Sequence, residues 1–198
     1  MTDGQPAAPA PTACPAPPSG IDDVLSFWIE EIGRDRWFVK DDAVDALVRD
    51  RLAALSAQAM AGALDTWQST PRGALALCIL LDQVPRNLHR GSPLAFAGDA
   101  KARRTARHAV DAGYDLALPE DVRQLLYLPF EHSEDIADQQ LCVSLFTGRT
   151  GDALAIDYAQ RHLRVIERFG RFPHRNAALG RASTPDEDAY LQERGMEF

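Results

Sequence analysis

Three short strings hold most of the residues in this chain that are equipped for chemistry. Asp82, Arg86 and Asn87 lie in LLDQVPRN (80–87), Glu131, His132 and Asp135 in YLPFEHSED (127–135), and Arg171, His174, Arg175 and Asn176 in RFGRFPHRN (168–176). A carboxylate that orients an imidazole is standard equipment for general acid–base work, and His132 has Glu131 beside it and Asp135 three residues on. Guanidinium groups next to a turn suit a carboxylate or a phosphate, and Arg171 and Arg175 flank Gly170 and Pro173. Taken together, Asp82, Arg86, Glu131, His132, Arg171, His174 and Arg175 read as a pocket that binds or processes a small anion. His132 or His174 would shuttle the proton, with Glu131 as a further catalytic group, and the arginines would hold negative charge, with Asp82, Asn87, Asp135 and Asn176 also binding the ligand. That reading requires Arg86, His132 and Arg175 to converge on one cleft.

Each string also has an ordinary explanation. Asp82 and Arg86 stand four apart and can pair internally, Asn87 closing the turn. Ser133, Glu134 and Asp135 suit a helix start with Ser133 as cap, which leaves Glu131 and His132 unaccounted for. Asn87 and Asn176 can each stabilise a turn by bonding their own backbone. Arg161, Arg164, Arg168, Arg171 and Arg175 follow a 3-4-3-4 spacing. On a continuous helix they form one stripe opposite Ala155, Ala159, Leu163 and Ile166, and the first of them read as a solvated face. Trp28, Trp37 and Phe38 read as core. A metal-dependent hydrolase built on Glu131, His132, Asp135 and His174 is the weakest option, because no HExxH pair is present. No GxGxxG, GK[ST] or GxSxG string occurs either, so nothing names a cofactor.

The elements that must position these residues are helices. No segment alternates apolar and polar residues as a half-buried strand does. Asp22 and Asp23 suit the cap of a first helix that Gly33 ends, and Asp41 opens a second. Thr70-Pro71 is a strong start, a hydroxyl cap followed by proline at the first helical position. The helix it opens is apolar all round from Leu75 to Leu81, the mark of a fully packed rod, and Pro85 should limit it. Further helices are expected from Asp99 to Ala112, from Pro119, from Ser133 to Phe146, and from Thr150 or Asp152 to Gly170. A last one opens at the capping box Thr184-Pro185-Asp186-Glu187 and stops at Gly195. Pro85, Pro129 and Pro173 stand 44 residues apart, each between an apolar helix and a polar cluster. That period suits stacked two-helix repeats.

Length and composition bound the rest. The chain of 198 residues suits one all-α domain over 21–198. It is preceded by a Pro/Ala-rich tail over 1–20 that has six prolines, no Lys or Arg and too few large apolar groups to order itself. A net charge of −8 argues against general nucleic-acid binding. The apolar run from Leu75 to Leu81 is too short to cross a bilayer. Cys14, Cys78 and Cys142 are odd in number and far apart, which fits a reducing cytoplasm.

The three strings, with SFW (26–28), Trp37-Phe38 and STPDE (183–187), resemble an uncharacterised bacterial family, the domain of unknown function 924 family. The likeness runs over about 21–195. It implies a tetratricopeptide-like stack of antiparallel helix pairs and supplies no reaction, substrate or cofactor. Val84 departs from it, since an aromatic residue is expected before that proline. A stack of this kind offers a second functional reading: a scaffold that presents a groove to a peptide or partner helix, with the polar clusters as latches between helices.

Overall fold

The computed structural model describes residues 20–194, and it is helical without a strand among them. The expected Pro/Ala-rich tail, Cys14 and the helix stop at Gly195 lie outside the described residues. Helix α1 (Ile21–Leu25) widens into a π-helical segment, Ser26–Ile32, and stops at Gly33, whose φ is 76°. Asp22 and Asp23 sit in its first turn and do not cap it; the cap position is Gly20. Helix α2 (Asp42–Ala61) starts where Asp41 accepts from the Ala43 and Val44 amides and ends at left-handed Gly62.

Helix α3 (Pro71–Cys78) is capped by the Thr70 hydroxyl, which accepts from the Gly73 amide at 3.1 Å. Every side chain from Ala74 to Leu81 is at most 1 % exposed, so this is the central rod of the core. At about 1.5–3 kcal/mol per large apolar side chain, its burial is a dominant stabilising contribution. The rod does not stop at Pro85. It widens into a π-helical segment, Ile79–Gln83, and resumes as α4 (Val84–Leu88) with Pro85 in the first turn. Proline lacks an amide and crowds the carbonyl four residues back. Here that carbonyl belongs to Leu81, inside the widened turn. Its neighbours are paired by side chains: Leu80 O accepts from Ser56 Oγ of α2 at 2.7 Å and Asp82 O from Arg86 of the same rod at 2.6 Å.

Helix α5 (Asp99–Asp111) follows, then the short α6 (Glu120–Arg123) and α7 (Leu128–Glu131), α8 (Ile136–Arg149), α9 (Ala153–Phe169) and α10 (Pro185–Arg194). Asp135, not Ser133, caps α8, and Asp152 caps α9. The capping box of α10 is reciprocal: Glu187 N donates to Thr184 Oγ1 at 3.2 Å, and Thr184 N to Glu187 Oε2 at 2.7 Å. Helix α3 packs on α1 and α5, α2 on α4, α5 on α7, and α8 on α9. Trp28 and Trp37 are buried, with Trp37 Nε1 donating to Trp28 O, whereas Phe38 is 62 % exposed and lies outside the core. No helix among the described residues is long and apolar enough to cross a membrane.

Candidate functional site

The three spaced prolines each sit in the first turn of a short helical piece: Pro85 in α4, Pro129 in α7, and Pro173 in a 3-10 turn, Pro173–Arg175. They restart helices instead of ending them, and the polar residues ride on the restarted turns. Those turns meet. Asp82, 1 % exposed on the π-helical segment, holds the ring of His132, whose Nδ1 lies 2.8 and 2.9 Å from its two carboxylate oxygens. With Nδ1–H donating to Asp82, Nε2 is the unprotonated nitrogen and His132 is set up as a base. Gln83 also donates to Asp82, and Arg86 NH1 lies 3.0 Å from its Oδ1.

Asp99, the first residue of α5, joins the two arginines. Arg86 grips it with two nitrogens at 3.0 and 3.2 Å, and Arg175 reaches it at 3.4 Å. Arg175 is 6 % exposed, its guanidinium carbon 4.7 Å from the centre of the Phe96 ring and 4.5 Å from that of Phe172. Its buried Nε meets no acceptor. The close approach of α5 is set at Gly98, where a Cβ would stand 2.1 Å from Leu81 O.

Beneath this layer lies Glu131, 5 % exposed, with its Oε1 3.4 Å from Nδ1 of His162 on α9. His162 Nδ1 lies 2.9 Å from Tyr158 O, and its ring stands edge-on to His132 and Phe172. His174 also packs at a tilt against Phe172, 5.5 Å between centres.

The charges are strongly biased. Burial pushes the Asp82 carboxyl up, but Arg86 and His132 outweigh it and bring it down to about 2. Burial, then repulsion from Asp82, raises Glu131 to about 8, so at neutral pH one carboxyl is ionised and its neighbour holds a proton. Burial lowers His162 to about 3, and burial followed by Arg175 and His132 lowers His174 to about 4. Burial and then Arg86 lower His132 against the pull of Asp82. Burial and then Arg86 bring Arg175 down to about 10.

Of the residues singled out in the sequence, Asp82, Arg86, Glu131, His132, His174 and Arg175 therefore come together. Of the other four, three lie in networks that join parts of the chain and the fourth is an exposed helix cap. Asn87 donates to Asp45, which also takes Arg90. Asp135 is the exposed cap of α8. Arg171 forks onto Glu187, and Asn176 donates to Ser183 and Glu187 and accepts from Arg181. Neither asparagine side chain closes its own turn, as expected of them; both bridge helices. Among the described residues no group of three or more His, Cys, Asp or Glu side chains is arranged to hold a metal ion, so the metal-hydrolase set does not assemble.

Residues 24–195 match the family described as bacterial protein of unknown function (DUF924). The chain belongs to this family. A solved structure of a protein of unknown function, ATU0120, from Agrobacterium tumefaciens is similar over 87 % of this chain and 97 % of its own, with 43 % identity and a TM-score of 0.83. No curated protein matches the chain. In this family member, sequence reasoning missed Asp99, His162, Phe96 and Phe172. His162 had a visible signal, because it falls on the apolar face of α9 in line with Ala155, Ala159 and Ile166. Asp99 had none, since an acid in a first helical turn is ordinary.

Proposed function

We propose that the cluster is an acid–base site for a small anionic ligand. The observation that carries this is the His132 imidazole clasped through Nδ1 by the buried Asp82 carboxylate, beside the part-exposed Arg86 guanidinium and the buried Arg175 guanidinium. His132 Nε2 takes a proton from the ligand, and Asp82 stabilises the imidazolium that forms. Glu131, protonated at neutral pH, is the matching proton donor, since paired acids with pKa values driven apart divide the acid and base roles. Arg86 and Arg175 hold the ligand's negative charge, with His174 at the rim. Asn87, Arg171 and Asn176 support the cluster through the helix joints, and Asp135 caps the start of α8.

The test is a screen of small carboxylates and phosphates for a rise in melting temperature, which a ligand produces by mass action. The rise should vanish in Arg175→Gln. In His132→Asn, binding should persist while any proton exchange of the ligand stops. A site that no small anion stabilises, with His132→Asn indistinguishable from wild type, would refute the reading. A second reading rests on Asp99, which already neutralises both arginines: the cluster is a latch inside a tetratricopeptide-like stack of helix pairs that binds a protein partner. A latch predicts that Arg86→Ala and Arg175→Ala melt early without any ligand effect.

A further inference from the structure

We infer that the anion subsite takes a monocarboxylate, and that the Asp99 side chain is a built-in occupant which such a ligand displaces. This rests on the acid–base reading of the same site and goes further in naming the ligand class. Asp99 holds the position that a bound carboxylate would take: forked on Arg86 at 3.0 and 3.2 Å and 3.4 Å from Arg175. Asp99 is free to leave. Its side chain is 22 % exposed, and it stands in the first turn of α5, where a carboxylate turned to solvent still meets the positive end of the helix. Arg175 is not free to follow. Its side chain is 7 % exposed between Phe96 and Phe172, and its Nε hydrogen is buried without an acceptor. Once Asp99 turns out, a buried cation lacks its counter-ion, a costly state that an incoming anion relieves.

The charge balance selects the class. Arg86 and Arg175 face the carboxylates of Asp82 and Asp99, and Glu134, which also acts on Arg175, has Arg181 as a cation of its own, while Glu131 and the three histidines of the cluster are neutral at neutral pH. A monocarboxylate in place of Asp99 leaves that balance unchanged. A phosphate dianion adds a second negative charge next to Asp82, which is fixed and buried. The rings of Phe96 and Phe172 stack on the Arg175 guanidinium that would hold the carboxylate, so a hydrocarbon body attached to it would have apolar side chains nearby.

The experiment titrates the full chain, wild type and Asp99→Asn, with acetate, propionate and inorganic phosphate by calorimetry. Removing the competing carboxylate should tighten acetate about ten-fold, propionate should exceed acetate, and phosphate should bind more weakly than either. Adding Arg175→Gln to Asp99→Asn should abolish the gain. Acetate binding that is no tighter in Asp99→Asn, or phosphate binding that exceeds it, overturns the inference. Should Asp99→Asn fail to fold, wild-type chain carrying carbon-13 at aspartate Cγ decides instead: saturating propionate must move the Asp99 resonance, and a fixed resonance overturns the proposal. The bridging proton of His132 and Asp82, read by proton NMR, separates the two levels. If it is present while carboxylates fail, only the ligand class is wrong. If it is absent, the acid–base reading falls with it.

Discussion

Replacing Glu131 by glutamine should make the protein more stable, and increasingly so as pH rises. Glu131 is 5 % exposed, its pKa raised by burial and by the neighbouring Asp82 charge from an ordinary 4.5 to about 8. A group raised in this way costs stability wherever the unfolded chain has lost the proton that the folded chain keeps. The cost is absent below the unfolded value, grows as pH climbs from about 4.5, and levels off above about 8. At about 1.4 kcal/mol per pH unit it reaches about 3 kcal/mol at pH 7 and about 4–5 kcal/mol at pH 9. Glutamine is the neutral isostere and bears none of it. Guanidinium unfolding at pH 6, 7, 8 and 9 should therefore give wild-type midpoints that fall relative to those of Glu131→Gln, the gap widening by about 1 kcal/mol between pH 7 and 9. Proton exchange at a bound ligand, if Glu131 is the donor, should be lost in the same variant. Parallel pH profiles, or a glutamine variant that is the less stable at pH 9, would show that Glu131 is ionised in the fold and would remove the acid from the proposed pair.

On the acid side the sign reverses. His162 and His174 are lowered, chiefly by burial, to about 3 and about 4, so the stability of the fold is intact above about 6.5 and falls as pH drops toward those values. His162→Asn should shrink the drop in melting temperature between pH 7 and 4.5, and an unchanged drop would count against a neutral buried His162. Gly98→Ala places a methyl group 2.1 Å from Leu81 O, a backbone atom that cannot rotate away. It should cost about 1–3 kcal/mol or more in denaturant unfolding, and a variant as stable as wild type would show that α5 can back away from the rod. Arg181→Ala breaks the fork onto Glu134, whose Oε1 also accepts from the Phe172 amide at 2.8 Å. Hydrogen exchange at Phe172 and Arg175 should speed up, with a loss of about 1–3 kcal/mol at most, and unaltered exchange would mean the segment before α10 is held by other contacts.

Much of this fold was legible because helices announce themselves locally. Asp41, Thr70-Pro71, Asp152, Gly170 and the Thr184–Glu187 box each did what their types predict, since caps depend on the few residues around them. The misreadings arose where a tertiary contact overrode a local signal. Pro85 does not end the central rod, because the π-helical widening before it, the Ser56 hydroxyl from α2 and the Arg86 side chain one turn on satisfy what proline disrupts. Ser133 is a good cap by type, but its hydroxyl donates to Asp138 and accepts from Arg103, which leaves Asp135 to cap α8. Six residues of the candidate cluster could be picked out because ionisable side chains next to apolar helices are rare. Asp99 and the two phenylalanines could not, because only the approach of α5 and the turn at Pro173 make them neighbours of the arginines.

The contrast between the cluster and the other polar networks bears on what it is for. Asp45 faces burial but is brought down by Arg90 and Asn87, Glu134 faces burial but is brought down by Arg181, and Glu187 is brought down first by Arg171. Each joins two parts of the chain, and each carboxylate has a cation of its own, which is how a latch is built. The cluster at the proline turns departs from that rule. It keeps a second carboxyl protonated 3.4 Å from a histidine that is itself held neutral, and it sandwiches an arginine whose Nε has no acceptor. A joint between helices gains nothing from these arrangements, since apolar side chains of the same size would hold at least as well. Costs of this kind are explained if the groups are kept ready for a proton and a negative charge that arrive with a ligand.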